Sequence, residues 1–390
     1  MREMVAFMKT IRRLRNILLF LQALVLVVFI NRKKRVAVPK KILVIQMAKL
    51  GDMVCTTPVF RAIKEVYPTA KTIVVGDAIN KHILAGNPDV DLYIVGKETS
   101  EVIRQVREEE PDFACVMGPD FGNLLIPIFA GVRSISSFKV SGGKSSETRT
   151  YKLLLPFIHT VPYVFGTYVS RALLRLLEPA GIVSEDTQKH LYFNDEARQK
   201  IDALFSLHGI TEEHFTVGIS PTAGHRTKQW APERFAAVAD YLSERYGAKI
   251  IIIGGPADTS EADAMLATLK TGSVVNTTAT LSIEELKALI VRLDLFMSVD
   301  TGPIYIAEAF DVPTIDIAGP IDVGEQPPRG PLHKNVTPLS GKKLLFAMNV
   351  RDYDYEEVRR EVDSMTPQMV IETFEGLYPV IQSRQRNGRA

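Results

Sequence analysis

The sequence predicts an α/β protein built from two doubly wound parallel sheets, and three observations lead there. Short, continuous aliphatic runs recur along the chain: KILVIQM at 41–47, FTVGIS at 215–220, KIIII at 249–253 and LFM at 295–297. Runs of that length and composition are strands buried on both faces. Each gives way to a turn containing Gly, Asp or Pro and then to apolar positions at helical spacing, the alternation that lays strands parallel with helices over both faces. Finally, 390 residues with 46% hydrophobic content suffice for two domains, each with its own core.

Residues 1–40 stand apart from that pattern. ILLFLQALVLVVFI at 17–30 is interrupted only by Gln22, with Arg12, Arg13 and Arg15 before it and Arg32, Lys33, Lys34 and Arg35 after it. The run is shorter than the roughly twenty residues of a straight membrane span, and no small-residue cleavage site follows it. Basic clusters at both ends fit a helix lying in a membrane interface, and a tilted single span is the rival reading. Either arrangement is a cationic anchor suited to the anionic inner leaflet.

From 41 onward the first half alternates. Strands are expected at 41–47, 72–75, 91–95 and 113–117, and helices after Thr56-Thr57-Pro58 through Tyr67, near 98–109 and over 163–178. Gly51 and Asp52 fall in the first crossover, beyond the carboxyl end of the first strand, where doubly wound sheets bind their ligands. The stretch KVSGGKSSETRT, 139–150, reads as a mobile surface loop; its Lys139, Lys144 and Arg149 could meet an anionic acceptor, but a solvated loop is the stronger reading. Asp89-Val90-Asp91 looks like a metal-binding Asp-x-Asp but reads as a strand edge after Pro88.

The second half opens with the strand at 215–220 and a loop, PTAGHRTKQW, that presents Thr222, Gly224, His225, Arg226 and Lys228 before a helix at 232–246. Cations on a small flexible loop at a strand's carboxyl end suit a diphosphate. Ser282 and Glu285 form a capping box that opens a helix over 283–291. The stretch SVDTGPIYIAEAFDVPTIDIAGP, 298–320, reads as strand end, tight turn, helix, turn and strand. Thr301 or Gly302 caps the helix, Pro303 fits its first turn, and its free N–H groups and positive pole form an anion site beside Asp300. Residues 321–331, rich in Gly and Pro, are irregular, and 366–378 is a last amphipathic helix before a basic, disordered tail.

Composition excludes several functions. Residues 1–41 carry eleven Lys/Arg and one Glu; the remainder holds 36 basic and 44 acidic residues, a mildly acidic body that gives nucleic-acid binding no support. Cys55 and Cys115 are too few for a disulfide framework and point to a reducing compartment. No HExxH or Cys/His cluster is present, so no structural metal is expected. GxGxxG is absent from both halves, which lowers a nicotinamide or flavin dehydrogenase reading.

KILVIQMAKLGDMVCTTPVFRAIKEVYP, PTAGHRTKQWAPERFAAVADYL and LFMSVDTGPIYIAEAFDVPTIDIAGP, taken in order, resemble glycosyltransferase family 9, the bacterial heptosyltransferases of lipopolysaccharide core assembly, over about 41–380. The resemblance implies the GT-B fold, two Rossmann-like domains facing across a cleft. The chain is then expected to divide into four segments: an anchor at 1–40, read from the residues and outside the likeness, an acceptor domain at 41–205, a nucleotide-sugar domain at 206–365 and a helix with basic tail at 366–390. By the same likeness Asp52 is the general base of an inverting, metal-independent transfer with no cofactor. Lys228 and the N–H groups at Thr301 and Gly302, with the Thr301 hydroxyl, hold the donor diphosphate; Asp300 is a further donor-binding residue, and Thr222 and Gly224 line the same pocket. The donor implied is ADP-heptose and the acceptor a lipid-linked saccharide at the cytoplasmic face of the inner membrane. Tyr305 stands where the family commonly carries His, which makes it a possible donor contact, and Ala279 stands where it commonly carries Gly. Two alternatives stay open: a transferase of the same fold with another donor sugar, and a non-catalytic scaffold that keeps the fold.

Overall fold

The structure, a computed structural model, describes residues 2–29, 36–141, 147–348 and 353–386. After a long helix, α1 (Arg2–Phe29), the first lobe carries β1 (Lys41–Gln46), β2 (Lys71–Gly76), β3 (Leu92–Val95), β4 (Phe113–Val116), β5 (Ser134–Ser141) and β6 (His159–Val164). Its helices are α2 (Leu50–Val66), α3 (Ala78–Ile83), α4 (Thr99–Glu109), α5 (Phe121–Ala130), α6 (Arg149–Leu154) and α7 (Val169–Arg175). Helix α8 (Asp195–Leu207) leads to the second lobe and packs on a helix of it, α11 (Ile283–Ile290). That lobe holds β7 (Thr216–Ser220), β8 (Lys249–Ile252), β9 (Val274–Asn276), β10 (Leu295–Val299), β11 (Thr314–Ile317) and β12 (His333–Val336). Around them lie α9 (Pro232–Tyr246), α10 (Thr259–Thr268), α12 (Gly302–Ala309), α13 (Tyr355–Ser364) and α14 (Pro367–Arg386).

Among the described residues each lobe has one six-stranded parallel sheet, ordered β3-β2-β1-β4-β5-β6 and β9-β8-β7-β10-β11-β12. Both orders reverse direction beside their first strand, between β1 and β4 and between β7 and β10. Helices leave to opposite faces there, and a crevice opens beyond the carboxyl ends of the strands. The aliphatic runs fill the central strands as expected: Ile42, Leu43, Val44 and Ile45 are buried in β1, and Ile250, Ile251 and Ile252 in β8. The lobes meet along α2 and α12, whose Met53, Phe60, Ile304 and Tyr305 belong to one continuous apolar cluster.

Several expectations shift. The stretch 163–178 is not one helix: β6 takes its first residues, and α7 begins only at Val169. Helix α2 starts at Leu50, six residues before the expected Thr56, and accommodates Pro58 within its first turns. The loop expected at 139–150 is largely ordered where it is described, as the end of β5 and the start of α6, while 142–146 lie outside the described residues. The last helix runs on past Tyr378 to Arg386, and the rest of the basic tail, 387–390, lies outside the described residues. The boundary expected at 205/206 falls in the last turn of α8. Asp91 is occupied structurally: its carboxylate accepts the Thr72 N–H at 2.6 Å and pairs with Lys64 at 2.7 Å. Cys55 and Cys115 are free and buried. No described helix is long and apolar enough to cross a membrane.

Ala279 sits at φ +60°, in the left-handed region that penalises a Cβ, and its N–H closes the loop onto the Gly254 carbonyl at 2.9 Å. An L-residue pays about 1–2 kcal/mol there, part of which glycine returns through its greater freedom when unfolded. Ala279→Gly is therefore expected to stabilise the protein by about 0.5–1 kcal/mol, read as a raised urea midpoint with an unchanged slope.

Candidate active site

The two switch points bring the sequence-predicted residues together. Asp52 follows β1, Lys228 follows β7, and Asp300, Thr301 and Gly302 follow β10. Helices α2 and α12 meet almost tip to tip. A Cβ on Gly51 would lie 2.7 Å from the Tyr305 ring and 3.6 Å from the Gly302 backbone, and a Cβ on Gly302 would lie 2.7 Å from the Leu50 side chain. Glycine at both positions is thus what lets the two N-termini, each a positive pole, converge on one place.

Asp52 is the third residue of α2, half-buried, with one carboxylate oxygen accepting the Lys49 N–H at 3.1 Å. The other accepts the Gln326 side-chain amide at 3.3 Å, from the loop after β11 in the opposite lobe. Burial raises the Asp52 pKa above the ordinary carboxylate range; Gln326, Lys228 and Lys49 pull it back, and the charge of Asp300 adds to the rise. That leaves a carboxylate of enhanced basicity at the cleft.

Across the cleft, Lys228 ends a short 3-10 turn, Arg226–Lys228, and its ammonium lies 2.5 Å from Asp300. Burial disfavours the charge on Lys228, but Asp300 outweighs it and the net shift is upward, so Lys228 is a fixed cation. The Lys-x-Trp spacing has a mechanical reason. Trp230 is fully buried, donates its indole N–H to the Met365 carbonyl at 3.0 Å, and thereby fastens the loop that carries Lys228. Arg359 of α13 holds the same loop through the Gln229 carbonyl at 2.6 Å.

Thr301 takes the N-cap position of α12 in extended conformation, but its hydroxyl does not close on the first turn, and Pro303 follows inside the helix. Tyr305, proposed as a donor contact, is buried, with its hydroxyl on the second Asp300 oxygen at 2.5 Å. The structure places it beneath Asp300, as a support for that carboxylate. Thr222 is buried at the root of the β7 loop, whereas Gly224 is exposed and a Cβ there would meet nothing.

Three features escaped sequence reading. Gln326 came from a stretch legible only as irregular. Asp316 on β11 is fully buried, and neither of its oxygens has a hydrogen-bond partner among the described residues. Burial, reinforced by Asp300 and opposed by Lys228, raises its pKa well above the usual carboxylate range, which favours the protonated form of this acid behind the site. Lys189 and Glu308, both largely buried, form an ion pair of 2.8 Å that clasps the two lobes, with Lys189 also donating to the Tyr168 hydroxyl at 3.0 Å. Among the described residues no group of three or more His, Cys, Asp or Glu is arranged to hold a metal ion.

The family model of glycosyltransferase family 9 (heptosyltransferase) matches residues 101–348, a segment that contains Lys228 and Asp300 and begins downstream of Asp52. Lipopolysaccharide heptosyltransferase 3 of Escherichia coli K12 is 27% identical over 289 residues, covering 70% of this chain and 80% of that protein. Lipopolysaccharide heptosyltransferase 2 of Salmonella typhimurium is 24% identical over 358 residues, covering 86% of this chain and 98% of that one. Among solved structures, a family 9 glycosyl transferase from Veillonella parvula superposes with a TM-score of 0.71 at 21% identity, over 87% of this chain and 97% of that chain. The E. coli ADP-heptose lps heptosyltransferase II gives 0.67 at 20% identity, over 86% and 98%. At such identities the superpositions speak for the two-lobed GT-B architecture.

Proposed function

The chain belongs to glycosyltransferase family 9, the heptosyltransferases, and from that premise we propose that it moves a heptose from ADP-heptose to a lipid-linked saccharide. The setting we propose is lipopolysaccharide core or surface-polysaccharide assembly at the cytoplasmic face of the bacterial inner membrane. In this reading the acceptor docks on the lobe at 41–205 and the nucleotide sugar on the lobe at 206–365. Asp52 takes the proton from the acceptor hydroxyl, whose oxygen attacks the anomeric carbon as the bond to the diphosphate breaks on the opposite face. One displacement inverts the anomeric centre. The departing charge falls to Lys228 and to the N–H groups at Thr301 and Gly302, which supply the compensation a divalent metal supplies in other transferases. Asp300 fixes the Lys228 ammonium, and Tyr305 fixes Asp300.

One observation carries the reading: a carboxylate from one sheet's switch point meets a lysine and a helix tip from the other's. Titration calorimetry with ADP, UDP, GDP and CMP, followed by product analysis with the matching sugar donors, tests it. Selective ADP binding and an inverted heptoside are expected. Binding of another nucleotide would support the second reading, a different donor sugar, which Tyr305 and Ala279 favour as departures next to the donor side. A wild-type protein that neither binds nor turns over any nucleotide sugar would leave the scaffold reading.

Gln326 gives this mechanism a pH signature. The groups facing Asp52 are the Lys49 N–H, Lys228, Asp300 and the Gln326 amide. Three of these stabilise the ionised carboxylate and the amide does so most, so its removal favours the protonated form. Gln326→Ala is expected to move the acidic limb of kcat/KM to higher pH, with the plateau rate reduced less than the rate at low pH.

A further inference from the structure

Over residues 16–29 helix α1 has two apolar faces, and among the described residues only one of them is packed on the protein. Ala23 and Val27 are fully buried, and Leu19, Phe20, Leu24 and Leu26 pack with them against the face of the first lobe that carries α5 and α6. The opposite face presents Leu18, Leu21, Val25, Val28 and Phe29, which fall at helical spacing on one stripe and are between 50% and 82% exposed; Ile17 borders it. Leu153 of α6, a helix in contact with α1, is 57% exposed as well. A contiguous patch of this kind marks a partner or a membrane.

We propose that this stripe docks the protein in the plane of an anionic bilayer, with α1 lying in the interface and its inner face kept on the protein. Charge selects the occupant. The sequence brackets the stripe with Arg12, Arg13 and Arg15 on one side and Arg32, Lys33, Lys34 and Arg35 on the other, and residues 1–41 hold eleven Lys/Arg against one Glu. A second copy of the helix would set like charge against like, whereas anionic headgroups complement it. The inner face argues against a span, because crossing a bilayer would strip Ala23 and Val27 from the core they complete.

Placement links the anchor to the site. Phe20 lies 6.5 Å, ring to ring, from Phe121, the first residue of α5. That residue follows the carboxyl end of β4, so the anchor sits beside the sheet edge from which Asp52 projects. A lipid-held acceptor would reach the cleft from the surface on which the enzyme rests, and holding both on one surface raises their encounter rate. The inference rests on the proposed function only where it places a lipid-held acceptor on the same surface.

The test is vesicle co-sedimentation of the full chain with phosphatidylethanolamine–phosphatidylglycerol membranes and with pure phosphatidylcholine, with nucleotide binding measured in parallel. The wild type should partition at least tenfold better to the anionic vesicles, and Leu21→Asp/Val25→Asp should lose at least tenfold of that binding while retaining nucleotide affinity and melting temperature. Val183→Asp/Leu207→Asp, which adds the same charge at exposed apolar positions elsewhere, should bind vesicles like the wild type. The proposal is overturned if the stripe variant binds as well as the wild type. It is also overturned if lipid-free wild type is a dimer that the stripe variant splits. Loss of nucleotide binding by the wild type would instead count against the proposed function and leave the docking result readable.

Discussion

Asp52→Asn is expected to lower kcat by about 10³–10⁴-fold while donor affinity changes by less than about threefold. The substitution keeps the shape of the side chain and its place in the first turn of α2, where one oxygen still accepts the Lys49 N–H. What it removes is the capacity to take a proton. Because nothing in the proposed donor site depends on that capacity, titration with ADP should be nearly unaffected. The wild-type pH profile supplies an independent check. Burial raises the Asp52 pKa, and a base works only when ionised. The rate should therefore rise with pH through a limb lying above the ordinary carboxylate value of about 4, and that limb should vanish in Asp52→Asn. If transfer persists undiminished with donor binding intact, Asp52 is not the base.

Much of this architecture was legible in the sequence for a physical reason. A parallel strand buried on both faces needs an unbroken aliphatic run, so Ile42–Ile45 and Ile250–Ile252 announce themselves. Pro303 and the Ser282–Glu285 box mark helix starts through backbone groups that must be paired locally. Where the local signal was ambiguous the reading failed. β5 places Ser134, Ser136 and Ser137 in buried positions, so it lacks the apolar run of a central strand. β6 alternates exposed and buried residues at the sheet edge, a pattern short enough to merge with the helix after it. The site divides the same way. Lys228, Thr301 and Gly302 could be read as phosphate-binding chemistry at the ends of strands, whereas Asp52 owed its role to family resemblance. Gln326 could not be found at all, because its partner is 274 residues away and only the closing of two lobes makes them neighbours. Asp316 left no trace either: a single carboxylate inside an apolar strand looks like an exposed edge until the sheet is assembled around it.

Lys228→Ala is expected to lower kcat/KM by about 10²-fold, the consequence of losing a contact worth on the order of 3 kcal/mol to a leaving diphosphate. It should also cost stability, for a separate reason. Asp300 is buried, and without Lys228 its carboxylate keeps, among the described residues, only the Tyr305 hydroxyl as a partner; removing one member of a buried pair typically costs about 3–5 kcal/mol. The second substitution separates the two effects. In Lys228→Ala/Asp300→Asn the orphaned charge is gone, so much of the lost melting temperature should return, while transfer should stay at the level of the single variant or below. Lys228→Arg retains the charge and a path to Asp300, and should recover part of the rate. A double variant that regained both stability and activity would mean that Lys228 serves only to neutralise Asp300. The diphosphate would then be held by the α12 helix tip and the loop around Thr222, with the lysine merely keeping that helix start in place.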